Sequence, residues 1–357
     1  MPPADANFRS KTYWTITSLV IAIILLIGIV FIIFFYRNSL TPIRYIFTDK
    51  KPALFFAGEG VPLEDVEVKD RFLRQIYYHG SWLSHSYIFT RRSLKWFPVI
   101  EPILRKFGIP DDFKYLAVAE SELSNSISSK GAAGFWQFMP ETAIQYGLNV
   151  NNEVDERYNI EKSTVAACKY LRFAFKELGS WTLAAASYNI GVQRLKDQMT
   201  SQKKSEFYYL KLNEETTTHI YRILAIRELM KNPAKYGFKT HGKMKEHPLP
   251  VRYFTIDTNV SNLEGLARKF NLQVQLIKIL NPWILGNTLT VDSGSSFVIK
   301  VPQKGYEKLV MAEFIEDTVK KMDGETSLVR LDTLNPDTLW KSLTKDSSNT
   351  LQKDSAP

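Results

Sequence analysis

The feature that most constrains this chain of 357 residues is an uncharged stretch near its N-terminus. Residues 16–36 read ITSLVIAIILLIGIVFIIFFY and contain no charged side chain. As a helix the stretch would be about 31 Å long, which matches the roughly 30 Å hydrocarbon core of a bilayer. A cleavable signal peptide is the alternative, but the apolar run is too long and no small-residue cleavage site follows it. We therefore predict a short cytoplasmic N-terminus at 1–15 and one transmembrane anchor at 16–36.

Composition limits what the rest of the chain can be. With 45% hydrophobic and 23% charged residues, the chain is neither disordered throughout nor a polytopic membrane protein, and its length allows about two domains. Its single cysteine, Cys168, excludes an intramolecular disulfide, and the five histidines are scattered, so we predict no metal and no cofactor. The net charge of +9 suits an acidic or polyanionic partner without identifying it.

Changes in residue pattern predict the domain organisation. Residues 37–63 are rich in proline and glycine and are predicted to form an extended connector. The pattern predicts a helical domain at 64–230, a lysine-rich linker at 231–250, a small α+β domain at 251–302 and a polar tail at 303–357. The linker lacks the interleaved aromatic residues of a single-strand binding site, so no nucleic-acid partner is predicted. The predicted fold class is therefore mainly α.

A carboxylate in the helical domain is the first candidate for chemistry. Ile109-Pro-Asp-Asp is a helix-start signal. With Phe113 at zero and about 100° per residue, Glu120 lies near 340° on the apolar face and Glu122 near 180° on the solvent side. Burial raises the pKa of a lone carboxylate, which suits a general acid near neutral pH. A buried glutamate satisfied by neighbouring donors explains the pattern equally well.

Two later segments combine small residues with polar or aromatic ones. Gly131 and Gly134 allow close approach of the backbone, and Trp136 and Gln137 follow them directly. An indole offers a face on which a sugar can stack and a carboxamide offers hydrogen bonds, although a tight turn with a core tryptophan fits too. The second segment, residues 183–191, reads as a helix of small residues that ends in Tyr-Asn and a C-terminal glycine.

Three ordered motifs together carry a family resemblance. In chain order they are Glu120-Ser121, Gly131-Ala-x-Gly134-x-Trp136-Gln137-x-Met139-Pro140 and Ala186-Ser187-Tyr188-Asn189-x-Gly191. In this order they resemble the lysozyme-like lytic murein transglycosylases, and within that family the membrane-bound D subtype. The resemblance covers residues 64–230 and implies a lysozyme-like, all-helical catalytic domain. Two residues depart from the family pattern: His219 ends a Glu215-Thr-Thr-Thr-His element where tyrosine is common, and Ser187 replaces the usual alanine.

The resemblance implies that Glu120 is a single catalytic acid/base. It would protonate the glycosidic oxygen between N-acetylmuramic acid and N-acetylglucosamine, and then accept the proton of the C6 hydroxyl as that oxygen closes on C1. The implied substrate-binding residues are Ser121, Ser128, Gly131, Gly134, Trp136, Gln137, Met139, Tyr188, Asn189, Glu215 and His219. Ordinary glycosidases use two carboxylates, and no partner carboxylate stands out in this sequence. A hydrolytic muramidase and a non-catalytic wall-binding anchor remain alternatives.

The C-terminal domain has a weaker resemblance of its own. Residues 251–302 read strand–helix–helix–strand and resemble a LysM module, a small fold that binds N-acetylglucosamine polymers. The Gly-Asp-Thr that usually follows the first strand is missing, and Asn259-Val260-Ser261 stands nearby. Glycan binding and a role as a spacer therefore remain equally open.

The implied partner is the glycan strand of peptidoglycan, and the sequence predicts no particular protein partner. This substrate lies outside the cytoplasm, so we predict a single-pass inner-membrane protein whose catalytic domain is in the periplasm. The basic residues Arg37, Arg44, Lys50 and Lys51 after the anchor favour the opposite orientation, but a large translocated domain can override such a bias.

Overall fold

The computed structural model describes residues 19–20, 22–31, 54–81, 83–236 and 248–312. The described residues of the predicted anchor, 19–20 and 22–31, are helical and apolar, and the rest of 16–36 lies outside these ranges. Among the residues described, no helix combines the length and the apolar character that crossing a membrane requires. The predicted N-terminus at 1–15 also lies outside the described residues.

The chain divides into two compact units, which do not follow the predicted domain boundaries. The first contains the described residues of Met1–Ser124 and Ala167–Glu246, and the second contains those of Asn125–Ala166 and His247–Pro357. Residues 125–166 therefore group with the C-terminal part of the chain, although the sequence pattern places them inside the helical domain. The mainly helical fold class is confirmed.

The secondary-structure elements are as follows in chain order. The helices are α1 (Val66–Ser81), α2 (Leu83–Lys106), α3 (Lys114–Ser121), α4 (Pro140–Gln145), α5 (Ile160–Leu178), α6 (Trp181–Ile190), α7 (Val192–Gln202), α8 (Glu214–Lys231), α9 (Leu263–Lys269) and α10 (Val274–Leu280). The strands are β1 (Leu54–Phe56), β2 (Glu59–Val61), β3 (Val251–Ile256) and β4 (Phe297–Pro302). Short 3₁₀ turns include Asp111–Phe113 before α3 and Glu156–Tyr158 before α5.

Helix α8 organises the first unit because it packs against α1, α3 and α6. Asn213 caps its N-terminus by accepting a hydrogen bond from the backbone N–H of Thr216. Apolar side chains such as Ile220 and Leu224 are fully buried along it. The short helix α3 is buried from Tyr115 to Ala119, as expected for a helix that neighbours cover on all sides.

The end of the predicted connector 37–63 is part of the first unit. Strands β1 and β2 form an antiparallel hairpin, and the φ angles of Ala57 and Gly58 are 51° and 85°. Two consecutive positive φ angles are the mark of a tight hairpin turn whose twist matches its strands. Phe56 is buried in the core. An extended connector is therefore not the conformation of these residues, because apolar strand residues fold back and pack.

The hairpin also fixes the start of α6. The carboxylate of Glu59 accepts hydrogen bonds from the backbone N–H of Thr182 at 2.9 Å and from the hydroxyl of Ser180 at 2.8 Å. Ser180 is itself the N-cap of α6. A carboxylate at a helix N-terminus pairs with free N–H groups and with the positive end of the helix dipole. This contact holds the helix that carries Tyr188 and Asn189.

Residues 251–302 of the second unit have the predicted order of elements. Strands β3 and β4 pair antiparallel from Val251 opposite Pro302 to Ile256 opposite Phe297, and α9 and α10 lie between them in the chain. The strand–helix–helix–strand prediction is thus confirmed. The predicted tail at 303–357 begins later than expected, because Val310 is buried and packs with Leu280. The tail beyond residue 312 lies outside the described residues, as do residues 237–247 of the linker.

Candidate active site

Glu120 lies in the last turn of α3, and its position differs from the helical-wheel prediction. The other residues of the helix are all buried, whereas 18% of the Glu120 side chain is exposed. Glu120 is therefore the least buried position of α3 and not the middle of its apolar face. The helix ends at Ser121, and Glu122 follows it with a left-handed φ of 55°. The helical wheel predicted that Glu122 lies on the solvent face of the helix. Glu122 lies beyond the end of the helix instead.

His219 contacts Glu120 directly. Its Nε2 atom lies 2.7 Å from Oε1 of Glu120, and its side chain is only 9% exposed. The Nδ1 atom is buried and has no hydrogen-bond partner within the part of the chain described. Because an ionised carboxylate can only accept hydrogen bonds, Nε2 of His219 is the donor in this contact.

Tyr188 lies near the same carboxylate. Removal of its phenol from water raises the pKa of Tyr188 well above its usual value, and the negative charge of Glu120 raises it further. Its ring meets that of Tyr170 edge to face, with the centroids 5.1 Å apart. Tyr188 therefore stays protonated over the physiological range and can act only as a neutral hydrogen-bonding group.

A hydrogen bond connects Asn189, near the C-terminal end of α6, with Glu215 in the first turn of α8. Nδ2 of Asn189 donates to Oε1 of Glu215 at 3.3 Å, and its Oδ1 accepts from the hydroxyl of Thr216 at 2.7 Å. Glu215 and His219 are four residues apart on α8 and so share one side of it. We call Glu120, Tyr188, Asn189, Glu215, Thr216 and His219 the Glu120 cluster, and all of them belong to the first unit.

The glycine motif forms a compact turn in the second unit, which we call the Gln137 loop (residues 126–138). Gly134 has a φ of 78°, and a Cβ built on it would lie 2.0 Å from the carbonyl oxygen of Arg157. Gly131 has a φ of 87° but open space around its Cα. Close approach of backbone was expected at both glycines. It is confirmed at Gly134, which lies against the backbone of Arg157, whereas Gly131 allows the positive φ of the turn.

Polar side chains hold this loop together from within. The amide nitrogen of Gln137 donates to the carbonyls of Gly134 at 2.8 Å and Ser126 at 3.1 Å. The hydroxyl of Ser128 accepts from the backbone N–H of Ala132 at 3.0 Å. Gln137 has a φ of 46°, a left-handed conformation that costs free energy for a residue with a side chain. The strain is maintained by these bonds.

Trp136 does not have the predicted stacking role. Its side chain is 0% exposed, and its Nε1 donates to Oγ1 of Thr164 at 2.9 Å. The hydroxyl of Thr164 in turn donates to the carbonyl of Ile160 in the first turn of α5. A sugar cannot stack on an indole that is covered on both faces, so Trp136 anchors the loop to α5 as a core residue.

Two more predicted site residues, Ser121 and Met139, lie at the ends of helices. Ser121 is buried, and its hydroxyl donates to the carbonyl of Ala117 one turn earlier in the same helix. Its hydroxyl is thus engaged within the helix, and substrate binding by Ser121 stays a prediction. Met139 is 39% exposed and immediately precedes α4, with Pro140 in the first helical position.

Arg157 is an organising residue that was not among the predicted site residues. Its guanidinium binds both carboxylate oxygens of Asp155, at 2.7 Å from Nη2 to Oδ2. Its Nη1 donates to the carbonyls of Gly131 at 2.8 Å and Phe138 at 3.0 Å. Residues 155–157 thus form a salt-bridged turn that holds the middle and the C-terminal end of the Gln137 loop.

Two stretches of the chain match known protein families. Residues 100–211 match the family model of the transglycosylase SLT domain, and residues 252–305 match that of the soluble lytic transglycosylase C-terminal LysM-like domain. The chain therefore carries a transglycosylase SLT domain followed by a LysM-like domain.

The chain is homologous to membrane-bound lytic murein transglycosylase D of Escherichia coli K-12. The two are 27% identical over 258 residues, which are 70% of this chain and 54% of that protein. The protein of the same name from Escherichia coli O6:H1 gives the same figures. A tributyltin chloride resistance protein of an Alteromonas species is 27% identical over 120 residues, 33% of this chain and 58% of that protein. The chain thus spans about half the length of the E. coli relatives.

Proposed function

We propose that the chain is a peptidoglycan lytic transglycosylase that cleaves the bond between N-acetylmuramic acid and N-acetylglucosamine and leaves 1,6-anhydromuramoyl ends. The observation that carries this proposal is the 2.7 Å contact between His219 and Glu120. Glu120 lies within residues 100–211, which match the transglycosylase SLT family. The hydrogen bond to one oxygen fixes the orientation of this partly exposed carboxylate, and a general acid/base has to be held within reach of the proton that it transfers.

The contact assigns different tasks to the two oxygens of Glu120. Oε1 accepts the hydrogen bond of His219 Nε2, which occupies that oxygen. Oε2 would therefore carry the proton that protonates the glycosidic oxygen, and would later receive the proton of the C6 hydroxyl. His219 keeps the carboxylate in one rotamer throughout, and the neutral phenol of Tyr188 offers a hydrogen bond beside it.

Asn189 and Gln137 are proposed to position the sugar. Both carry a carboxamide, which can donate to a hydroxyl or carbonyl oxygen of the N-acetyl sugar and accept from its N–H or O–H groups. Glu215 is the second carboxylate of the Glu120 cluster and is exposed. In a hydrolytic muramidase it would be the candidate base that activates water.

Mass spectrometry of digested sacculi tests the proposal. Purified protein should release fragments whose muramic acid ends are one water lighter than ordinary reducing ends. Reducing ends that disappear in a Glu215→Gln variant would establish the muramidase instead. Binding to sacculi without release of soluble fragments would establish a non-catalytic wall-binding protein.

We further propose that residues 16–36 anchor the chain in the inner membrane with the catalytic domain in the periplasm. The support is the uncharged sequence itself and the membrane-bound relative. An alkaline phosphatase fusion after Pro302 should be active, because that reporter works only where disulfides form. An inactive alkaline phosphatase fusion, or release of the full-length protein from membranes by high salt, would contradict this proposal.

A further inference from the structure

We propose that the LysM-like module (residues 251–302) stabilises the Gln137 loop, so that it is a structural support for this loop and not a separate glycan-binding attachment. The connection runs through residues 149–158, which we call the 149–158 turn. All three parts lie within the second unit. The inference rests on the proposed function only where cleavage is used as a readout.

The core of the module is completed by a residue from outside it. Val154, which is 2% exposed, belongs to the same buried cluster as Leu263, Trp283 and Ile299. Tyr158 packs against that cluster as well. Burial of apolar surface is the main favourable contribution to such packing. The module therefore has to hold the 149–158 turn in order to fill its own interior.

Backbone hydrogen bonds fix the same contact in register. The N–H of Asp155 donates to the carbonyl of Trp283 at 2.8 Å, and the N–H of Leu285 donates to the carbonyl of Glu153 at 2.8 Å. Val154 and Ile284 form an antiparallel β-bridge. These directional bonds leave the turn little freedom to slide along the module.

Side chains reinforce the contact at two points. The carboxylate of Glu153 accepts from the hydroxyl of Thr288 at 2.6 Å and from the backbone N–H of Thr290 at 2.9 Å. These bonds lower the pKa of Glu153. On the other side, Nζ of Lys300 in β4 pairs with Glu161 of α5 at 2.6 Å.

The turn transmits this restraint to the Gln137 loop. Asp155, whose N–H is bound by the module, orients the guanidinium of Arg157. Arg157 then holds the carbonyls of Gly131 and Phe138, while its own carbonyl fills the space beside Gly134. Loosening of the module should thus loosen the loop that keeps Gln137 in its strained conformation.

Hydrogen–deuterium exchange on the full chain tests the inference. In a Glu153→Ala/Lys300→Met double variant, exchange should rise roughly fivefold at hydrogen-bonded loop amides such as Ala133, Gly134, Gln137 and Phe138. Exchange in α8 of the first unit should not change. Cleavage of soluble glycan fragments should fall in parallel.

Two further variants keep the result interpretable. Thr288→Val has nearly the shape of threonine and removes only the hydroxyl donor, so it should act in the same direction with a smaller effect. Glu264→Gln is the matched control, because Glu264 is an exposed carboxylate at the start of α9 in the same module. It should change neither exchange nor cleavage.

Two results would overturn the inference. In one, amides of the module itself, such as Leu285 and Thr290, exchange faster while the loop amides do not. In the other, neither region responds to the double variant. If the unmodified chain cleaves no glycan at all, the proposed function fails, but the exchange data still decide whether the module supports the loop.

Discussion

Oε1 of Glu120 and Nε2 of His219 lie 2.7 Å apart although 99 residues separate them in the chain. Glu120 comes from the last turn of the buried helix α3, and His219 comes from α8, which packs along α3. The rotamer of the carboxylate therefore depends on how closely these two helices pack. A small displacement between them would lengthen the bond that orients the proposed acid.

Replacing Glu120 by glutamine should abolish cleavage while the fold survives. Glutamine keeps the shape of the side chain but cannot donate the proton, and loss of a general acid typically costs about 10²–10⁴-fold in rate. The rate of glycan release and a circular dichroism spectrum together check this. Glu122→Gln, just beyond the end of the helix, is the control and should be nearly silent. Comparable activity in the two variants would remove Glu120 from the mechanism.

Replacing His219 by alanine should lower kcat by about 10–100-fold, because a hydrogen bond to a charged group contributes on the order of 1.5–3 kcal/mol. His219→Tyr should recover much of the loss, since a phenol can donate to the same oxygen. Measurement of kcat and KM on soluble glycan for both variants checks this, and KM should change little. An unchanged kcat in His219→Ala, or no recovery in His219→Tyr, would show that His219 does not orient the carboxylate.

Gly134→Ala should destabilise the chain strongly and Gly131→Ala only mildly. Both glycines have positive φ angles, which cost a non-glycine residue roughly 1–2 kcal/mol. At Gly134 the new Cβ would also lie 2.0 Å from the carbonyl oxygen of Arg157, whereas the Cβ at Gly131 meets nothing within 4 Å. Urea unfolding of both variants measures the difference. Equal losses would mean that close approach does not matter at Gly134.

Asp112→Asn should lower the free energy of unfolding at neutral pH by about 2 kcal/mol. Asp112 is 10% exposed and pairs with Arg227 at 2.8 Å and Lys231 at 2.9 Å. Burial raises the pKa of Asp112, but the bonds from these two cations outweigh it and lower the pKa overall. A lowered pKa gives stability that is present above the unfolded value, about 3.9, and is lost as the pH falls through the folded value.

Urea unfolding at pH 7 and pH 3 checks this dependence. The difference between the variant and the unmodified chain should be large at pH 7 and smaller at pH 3. Asp111→Asn is the matched control, because Asp111 is an exposed carboxylate with a single lysine partner, Lys114. A difference that grows at low pH would contradict the assigned direction.

The sequence located Glu120 but not its surroundings. Motif order identifies the residue, because Glu120-Ser121 precedes the glycine motif and Tyr188-Asn189 in the family pattern. A helical wheel assumes one buried and one solvated face, and α3 is covered on all sides, so the wheel placed both Glu120 and Glu122 wrongly. The partner His219 follows from helix packing across 99 residues, which no local pattern encodes.

Trp136 and Arg157 show what a local sequence pattern cannot predict. Trp136 was predicted to contact sugar and is a core residue, whereas Arg157 was not predicted and organises the loop. An indole beside a carboxamide looks the same in a sugar site and in a core, and only its contact with Thr164 decides between them. Arg157 lies in a charged turn of ordinary composition, and its importance comes from two carbonyls at positions 131 and 138. Local sequence specifies the turn, whereas tertiary packing specifies what the turn holds.

The burial of Val154 among Leu263, Trp283 and Ile299 has a consequence for chimeric proteins. A C-terminal module exchanged between relatives at the lysine-rich linker would lose this valine and leave an unfilled cavity, which typically costs a few kcal/mol. A functional exchange would have to carry the 149–158 segment together with the C-terminal residues. A chimera should therefore fold well when the 149–158 segment and the C-terminal module come from the same parent. A single crossover at the linker should give a poorly folded protein.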